Sequence, residues 1–172
     1  MAPSRVLGLL GTGVAAGATA TAYAAWEARQ YTLRKVDVGM LPAGMRPVRV
    51  LHLSDIHMTP WQHKKQRWVR DLARLQPDLV VNTGDNLAHR ESVSVVLDSF
   101  GPLLDVPGVF VPGSNDYFSP ILKNPVRYLL PDDGRRVTWT PKLPWRSLRD
   151  SFTQHGWLDL TNTRQDLEVD GL

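Results

Sequence analysis

The chain has 172 residues, of which 42% are hydrophobic and 22% charged, a composition typical of a folded globular domain rather than of a disordered or collagen-like chain. It contains no cysteine, which excludes a disulfide scaffold, a zinc–thiolate site and a cysteine nucleophile. The first 47 residues hold five basic and two acidic side chains and so carry the whole net charge of +3, and no basic nucleic-acid-binding face is indicated for the remainder.

Residues 6–26 contain no charged side chain, and a helix of about 20 residues is long enough to cross the hydrocarbon core of a bilayer. Alanine, glycine and threonine make up most of this stretch, so its insertion would be marginal. Arg5 before it and residues 22–24 near its end also match a secretory signal peptide. We therefore assign residues 1–46 to an apolar anchor or signal segment plus a linker, with a disordered leader as the alternative. This assignment predicts a membrane-associated or exported protein whose orientation is open.

From residue 47 onward the pattern alternates strands with helices. Apolar, β-branched runs at residues 47–53, 78–83 and 109–111 predict three strands, the first with both faces covered. Apolar residues recur at helical spacing in residues 63–76 and again in residues 93–100. Two βαβ units in series, and hence a parallel sheet, are predicted. The glycine-rich motifs of dinucleotide-binding and P-loop proteins are missing after these strands, which excludes both classes.

An acidic residue follows each predicted strand, at Asp55, Asp85 and Asp116, with spacings of 30 and 31 residues. Parallel strands end at one edge of the sheet, so these residues are expected to meet there. Asp55 and His57 lie two residues apart, where an extended backbone would point both side chains the same way. Asp85 follows a turn at Gly84 and can offer two oxygens to bridging ions. Carboxylate and imidazole ligands without thiolate suit Mn, Fe or Zn. Taken singly, an aspartate at such a strand end is more often a turn or cap residue than a metal ligand.

Three short blocks resemble the first signature blocks of calcineurin-like metallophosphoesterases. In this sequence they read Leu-Ser-Asp-Ile-His at 53–57, Gly-Asp-Asn at 84–86 and Gly-Ser-Asn-Asp at 113–116. The resemblance implies an α/β fold, the α+β sandwich of that family, built on a βαβαβ core. It also implies hydrolysis of phosphate mono- or diesters by a water that two divalent metal ions activate. By carry-over, Asp55 and His57 would bind one ion and Asp85 would bridge both.

The third block departs from the family pattern, which is Gly-Asn-His-Asp or Gly-Asn-His-Glu. Ser114 stands where the family has a metal-binding asparagine, and Asn115 stands where it has the histidine that assists the leaving group. Either Asn115 turns inward as a ligand or the second metal site is weakened, because a hydroxyl is a poor neutral ligand and an amide cannot donate a proton as imidazolium does. Asp116 resembles the structural acid that holds the loop. His89 is a candidate partner of a metal ligand, just outside the coordination sphere.

The family's later histidine blocks are not found here, and His155 is the only histidine after His89. Residues 120–144 carry five prolines and predict a long loop or a lid, and residues 145–152 predict a helix. Residues 165–169 alternate as a strand that runs into a hairpin turn without a partner strand. We therefore expect residues 47–172 to be the N-terminal part of a longer phosphoesterase domain, whose activity in isolation is open.

The expected substrate is a phosphate-ester small molecule or a phospholipid-type ester, the latter reached at a membrane through residues 6–26. Two other interpretations remain open. A non-catalytic metallophosphoesterase-like scaffold or binding module would explain Ser114 and Asn115. A flavodoxin-like, doubly wound binding domain would share the strand–helix order without needing Asp55, His57 and Asp85 together.

Overall fold

The computed structural model describes residues 3–121, 131, 134 and 139–168, and the chain forms two compact units, Met1–Met40 and Leu41–Leu172. The first unit contains the helix α1, Pro3–Glu27, where the sequence predicts an apolar helix. Within the described part of the chain, no helix is both long enough and apolar enough to cross a bilayer. The predicted membrane anchor is therefore not supported. Signal cleavage, export and the domain boundary at residue 46 stay predictions.

The second unit is built on a sheet of four parallel strands in the order in which they follow one another along the chain. These strands are β1 (Val50–Leu53), β2 (Leu79–Asn82), β3 (Gly108–Phe110) and β4 (Leu158–Asp159). Since the strand order never reverses among them, right-handed crossovers place all the connecting helices on the same face. The predicted α/β fold is confirmed. A doubly wound sheet reverses its order at a switch point, so the flavodoxin-like alternative does not fit the described strands.

Three helices of this unit agree with the predicted segments, namely α2 (His63–Asp71), α3 (Ser92–Phe100) and α5 (Trp145–Gln154). The single-turn α4 (Ser114–Tyr117) was not predicted. Short 3₁₀ turns extend α2 and α3. The first of these, Leu72–Leu75, is followed by Gln76, which has a left-handed φ of 49°, and then by Pro77, a residue that cannot continue a helix.

The core lies on the helix-covered face of the sheet, and it includes an aromatic cluster. The rings of Phe100, Phe152 and Trp157 lie 4.8 to 5.8 Å apart, and all three side chains are fully buried. The indole nitrogen of Trp157 donates a hydrogen bond to the Val106 carbonyl at 3.1 Å. A side chain at Gly108 would collide with the Trp157 ring, so glycine is required where β3 passes beneath it.

Two strand predictions are wrong. β1 is not covered on both faces: Leu51 and Leu53 are buried, but Val50 and His52 are exposed, because the helices pack on one face only. Residues 165–168 form no strand, and the hairpin turn predicted after them lies outside the described residues. The central part of the predicted lid also lies outside them, while its two ends pair at Phe118 and Lys142.

Candidate metal centre

The loops after β1 and β2 run side by side beyond the ends of the strands. The backbone N–H of Asp55 donates to the Gly84 carbonyl at 3.0 Å, and that of His57 donates to the Asp85 carbonyl at 2.9 Å. Met58 continues the pairing with a hydrogen bond to Asn86 at 2.7 Å. The candidate ligands therefore lie on two segments that hold each other in register at the carboxyl edge of the sheet, as the sequence predicts.

The backbone at the candidate ligands is left-handed rather than extended. Asp55, His57 and Asp85 have φ values of 54°, 44° and 56°. Positive φ is uncommon outside glycine and costs about 1–3 kcal/mol for a residue held there by its surroundings. The expectation that an extended backbone aligns Asp55 with His57 is therefore wrong, although both side chains do reach one site. Such strained residues cluster at functional sites, because there the position of the side chain matters more than local stability.

The three side chains converge on one point. Asp55, His57 and Asp85 each offer a ligand atom, and these atoms all lie within 4.8 Å of one another. The Nε2 atom of His57 lies 3.9 Å from Oδ1 of Asp55 and 3.8 Å from Oδ2 of Asp85. Metal–ligand bonds of about 2 Å place neighbouring ligand atoms about 3–4 Å apart, so the donor set and its spacing fit a divalent ion.

Exposure differs among the three side chains and defines an open and a closed side of the site. The side chain of Asp55 is 69% exposed and that of His57 is 41% exposed, whereas that of Asp85 is only 15% exposed. The Ser54 hydroxyl donates to Oδ2 of Asp55 at 2.5 Å. Asp85 is thus the anchored ligand, and the solvent side lies at Asp55 and His57.

The third loop, which follows β3, packs against the second loop, which follows β2, at two glycines. A Cβ atom on Gly84 would collide with the Gly113 backbone, and one on Gly113 would collide with Oδ1 and the backbone nitrogen of Asp85. Gly84 also has a φ of 88°, which side chains disfavour. The two glycines let the loops after β2 and β3 meet directly at the Asp85 carboxylate.

We expect Gly113→Ala to destabilise the fold by about 1–3 kcal/mol, because the added methyl group must displace Asp85 or its loop. Mn²⁺ binding, measured by titration calorimetry, should weaken in the same variant. Gly39→Ala is the control, since nothing lies within 4 Å of a Cβ atom at that position. Equal unfolding midpoints in urea and equal Mn²⁺ affinities for the two variants would contradict this account of the loop contact.

The Asp116 carboxylate joins the second and third loops through hydrogen bonds. It accepts four backbone N–H donors, from Asp85, Asn86, Leu87 and Gly113, at 2.7 to 2.9 Å. The residue is 1% exposed. Burial raises the pKa of the Asp116 carboxyl, while the four backbone hydrogen bonds oppose that shift. These contacts agree with the expected role of Asp116 as the acid that holds the loop.

Asn115 contacts Asp85 through both its backbone N–H and its side-chain amide. Its backbone N–H donates to Oδ1 of Asp85 at 2.8 Å, and its side-chain Nδ2 donates to Oδ2 at 2.6 Å. Asn115 therefore meets the candidate ligand as a hydrogen-bond donor. Ser114 is exposed at the start of α4, and no described hydrogen bond joins it to the three candidate ligands.

Sequence reasoning missed the polar residues that support the two ligand loops. The side-chain amides of Asn82 and Asn86 bond to each other at 2.8 and 3.0 Å, and Oδ1 of Asn82 also accepts the Gly84 N–H at 3.0 Å. Lys65 on α2 donates to the Ile56 carbonyl at 2.7 Å, and burial lowers the pKa of its ammonium group. Both asparagines are buried, and unpaired amides there would be costly. The available signal was the presence of two asparagines, Asn82 and Asn86, at the end of one apolar strand and just after it.

The other histidines do not join the cluster of candidate ligands. The His89 ring packs edge-on against Trp61 at 5.1 Å, and its Nδ1 accepts the Glu91 N–H at 3.2 Å. None of its described contacts is with Asp55, His57 or Asp85, so the predicted partnership with a metal ligand stays a prediction. His52 lies on β1, where its exposed ring bonds to the Thr83 hydroxyl at 2.9 Å.

Residues 48–171 match the family model of the calcineurin-like phosphoesterases. No curated protein and no solved structure shows a significant match to the chain.

Proposed function

The chain belongs to the calcineurin-like phosphoesterase family, and we propose that it hydrolyses phosphate esters at a metal centre formed by Asp55, His57 and Asp85. Membership confirms the resemblance of the three signature blocks. The observation that carries the proposal is the convergence of these three side chains, whose ligand atoms lie within 4.8 Å of one another. They come from two loops about 30 residues apart in sequence, each held in a strained backbone conformation.

The donor set limits the metal. Two carboxylates and one imidazole, without thiolate, favour Mn, Fe or Zn. A bound ion of this kind supplies Lewis-acid chemistry and lowers the pKa of a coordinated water to near neutrality. The sequence contains no cysteine, and a water nucleophile would make a protein nucleophile unnecessary.

The chain's own residues would set the orientation of the reaction. Asp85 is held from behind by Asn115, while Asp55 and His57 face solvent, so a phosphate ester would approach from their side. Asn115 stands where the family's leaving-group histidine lies, and its amide has no proton to give at neutral pH. No general acid at this position would then protonate the leaving group. An ester with a weakly basic leaving group is therefore the appropriate test substrate.

The test is hydrolysis of p-nitrophenyl phosphate and bis(p-nitrophenyl) phosphate by the purified protein, with added MnCl₂ and with EDTA. We expect turnover of at least one ester with Mn²⁺ and its loss in EDTA. The ratio of the two rates distinguishes a monoesterase from a diesterase.

A non-catalytic scaffold is the second candidate, and the Asn115 amide at the leaving-group position favours it. Retention of Mn²⁺ after dialysis without turnover of either ester would support the scaffold. If the protein neither retained Mn²⁺ nor hydrolysed either ester, that result would contradict the metal centre itself.

A further inference from the structure

We propose that this chain holds one divalent ion rather than two, and that the Asn115 amide occupies the place on Asp85 that a second ion would need. The inference rests on the metal centre proposed above and concerns how many ions that centre takes. The sequence predicts a binuclear site in which Asp85 bridges two ions. The hydrogen bonds around Asp85 leave its carboxylate with capacity for one.

Oδ2 of Asp85 already accepts one hydrogen bond. An ionised carboxylate accepts through about four lone pairs, two on each oxygen. One lone pair of Oδ2 receives the Asn115 Nδ2–H at 2.6 Å, a short, charge-assisted hydrogen bond. The same oxygen lies 3.8 Å from Nε2 of His57, on the side where the first ion would be shared with Asp55. Oδ2 thus accepts a hydrogen bond from Asn115 with one lone pair and would bind the first ion with the other.

Oδ1 of Asp85 is occupied as well. It accepts the Asn115 backbone N–H at 2.8 Å. The Gly113 backbone lies against Oδ1, because a Cβ atom built on Gly113 would collide with this oxygen. An ion at the place of that Cβ would lie only about 1.5 Å, one carbon–carbon bond length, from the Gly113 Cα atom, so the backbone leaves no room for an ion there. Neither oxygen of Asp85 can therefore bridge to a second ion while the third loop keeps this conformation.

The charge of the site and the remaining donors also favour a single ion. Asp55 and Asp85 together carry two negative charges, which balance one divalent ion when His57 is neutral. Among the residues that the structure describes, Asp55, His57 and Asp85 are the only group of three or more histidine, aspartate or glutamate side chains close enough to share an ion. Within the described part of the chain, the groups beside Asp85 that remain for a second divalent ion are the neutral side chains of Ser114 and Asn115, which are weak ligands for it.

The number of ions can be measured on the unmodified protein. Mn²⁺ titration calorimetry should give one site per chain. The electron paramagnetic resonance spectrum of the saturated protein should show an isolated Mn²⁺ ion without coupling to a neighbour. Two equivalents of Mn²⁺ with a spin-coupled spectrum would overturn the inference.

Two variants test the role of the amide. Asn115→Ala removes the side-chain donor to Asp85, and we expect the single site to weaken by about 10–100-fold, as when a group that orients a metal ligand is lost. Asn115→Asp keeps the shape but replaces the donor with a carboxylate, and we expect a second Mn²⁺ ion to bind. Gln154→Ala removes an exposed amide on α5 and should change neither the affinity nor the number of ions.

Each result has a separate meaning. A single ion in Asn115→Asp would overturn the assignment of the block to the amide. An unchanged affinity in Asn115→Ala would show that the amide does not hold Asp85 in place, and would overturn the role given to its hydrogen bond. Two ions in the unmodified protein would overturn the inference while leaving the proposed phosphoesterase intact. No bound Mn²⁺ and no ester hydrolysis would overturn the proposed function as well.

Discussion

Replacing Asp116 with alanine is expected to cost more than about 4 kcal/mol of folding free energy, since each buried N–H left without an acceptor costs about 1–3 kcal/mol. Four backbone N–H groups lose their acceptor at once in this variant. A loss of this size is a large part of the roughly 5–15 kcal/mol that stabilises a typical domain. Urea unfolding followed by tryptophan fluorescence measures it.

Asp105→Ala is the matched control, because Asp105 is an exposed carboxylate at the end of the 3₁₀ turn after α3. Its effect should stay within about 0.5 kcal/mol, as for most surface substitutions. Asp116→Asn, which keeps one acceptor oxygen, should fall between the two. If Asp116→Ala were no less stable than the Asp105→Ala control, the carboxylate would not be what joins the loops.

Asp85→Asn is expected to lower Mn²⁺ affinity by more than about 100-fold and to abolish ester hydrolysis. Loss of a ligand should exceed the roughly 10–100-fold effect of losing a group that only orients one. The substitution removes a negative charge from the site, and the new amide can place its own N–H donors against those of Asn115. Mn²⁺ titration and p-nitrophenyl ester hydrolysis measure the two effects.

Unfolding in urea provides the control for this variant, because a change confined to the site should leave the core intact. Undiminished hydrolysis by Asp85→Asn would remove Asp85 from the metal centre. It would also leave the convergence of Asp55, His57 and Asp85 without a function.

The parallel sheet could be predicted because its signals are local. Each strand is a short apolar run, each crossover helix has apolar residues at helical spacing, and the nearly equal distances from Asp55 to Asp85 and from Asp85 to Asp116 match one βαβ unit. β4 could not be predicted, since it has two residues and no period to detect. It is placed by Trp157, which fits over Gly108 from 49 residues away in sequence.

The one-sided burial of β1 was not predictable from its composition. Val50 and His52 lie among apolar residues, so the run as a whole indicates a strand covered on both faces. Whether helices cover one face of β1 or both depends on the strand order, which is a property of the assembled sheet rather than of any one segment.

At the site, sequence identified the groups but not how they are held. Asp55, His57 and Asp85 converge as predicted, yet through left-handed backbone conformations that no spacing rule indicates. The hydrogen bonds from Asn115 to Asp85 and from Lys65 to the Ile56 carbonyl join segments distant in sequence. Such contacts depend on the folded geometry, so the sequence left the role of Asn115 as ligand or otherwise open.

The most direct test of the metal centre is anomalous diffraction at the manganese absorption edge from crystals of the protein grown with MnCl₂. The account predicts an anomalous peak at bonding distance, about 2–2.3 Å, from a carboxylate oxygen of Asp55, Nε2 of His57 and a carboxylate oxygen of Asp85. A strongest peak at other residues, or no peak in crystals that hold saturating Mn²⁺, would contradict it.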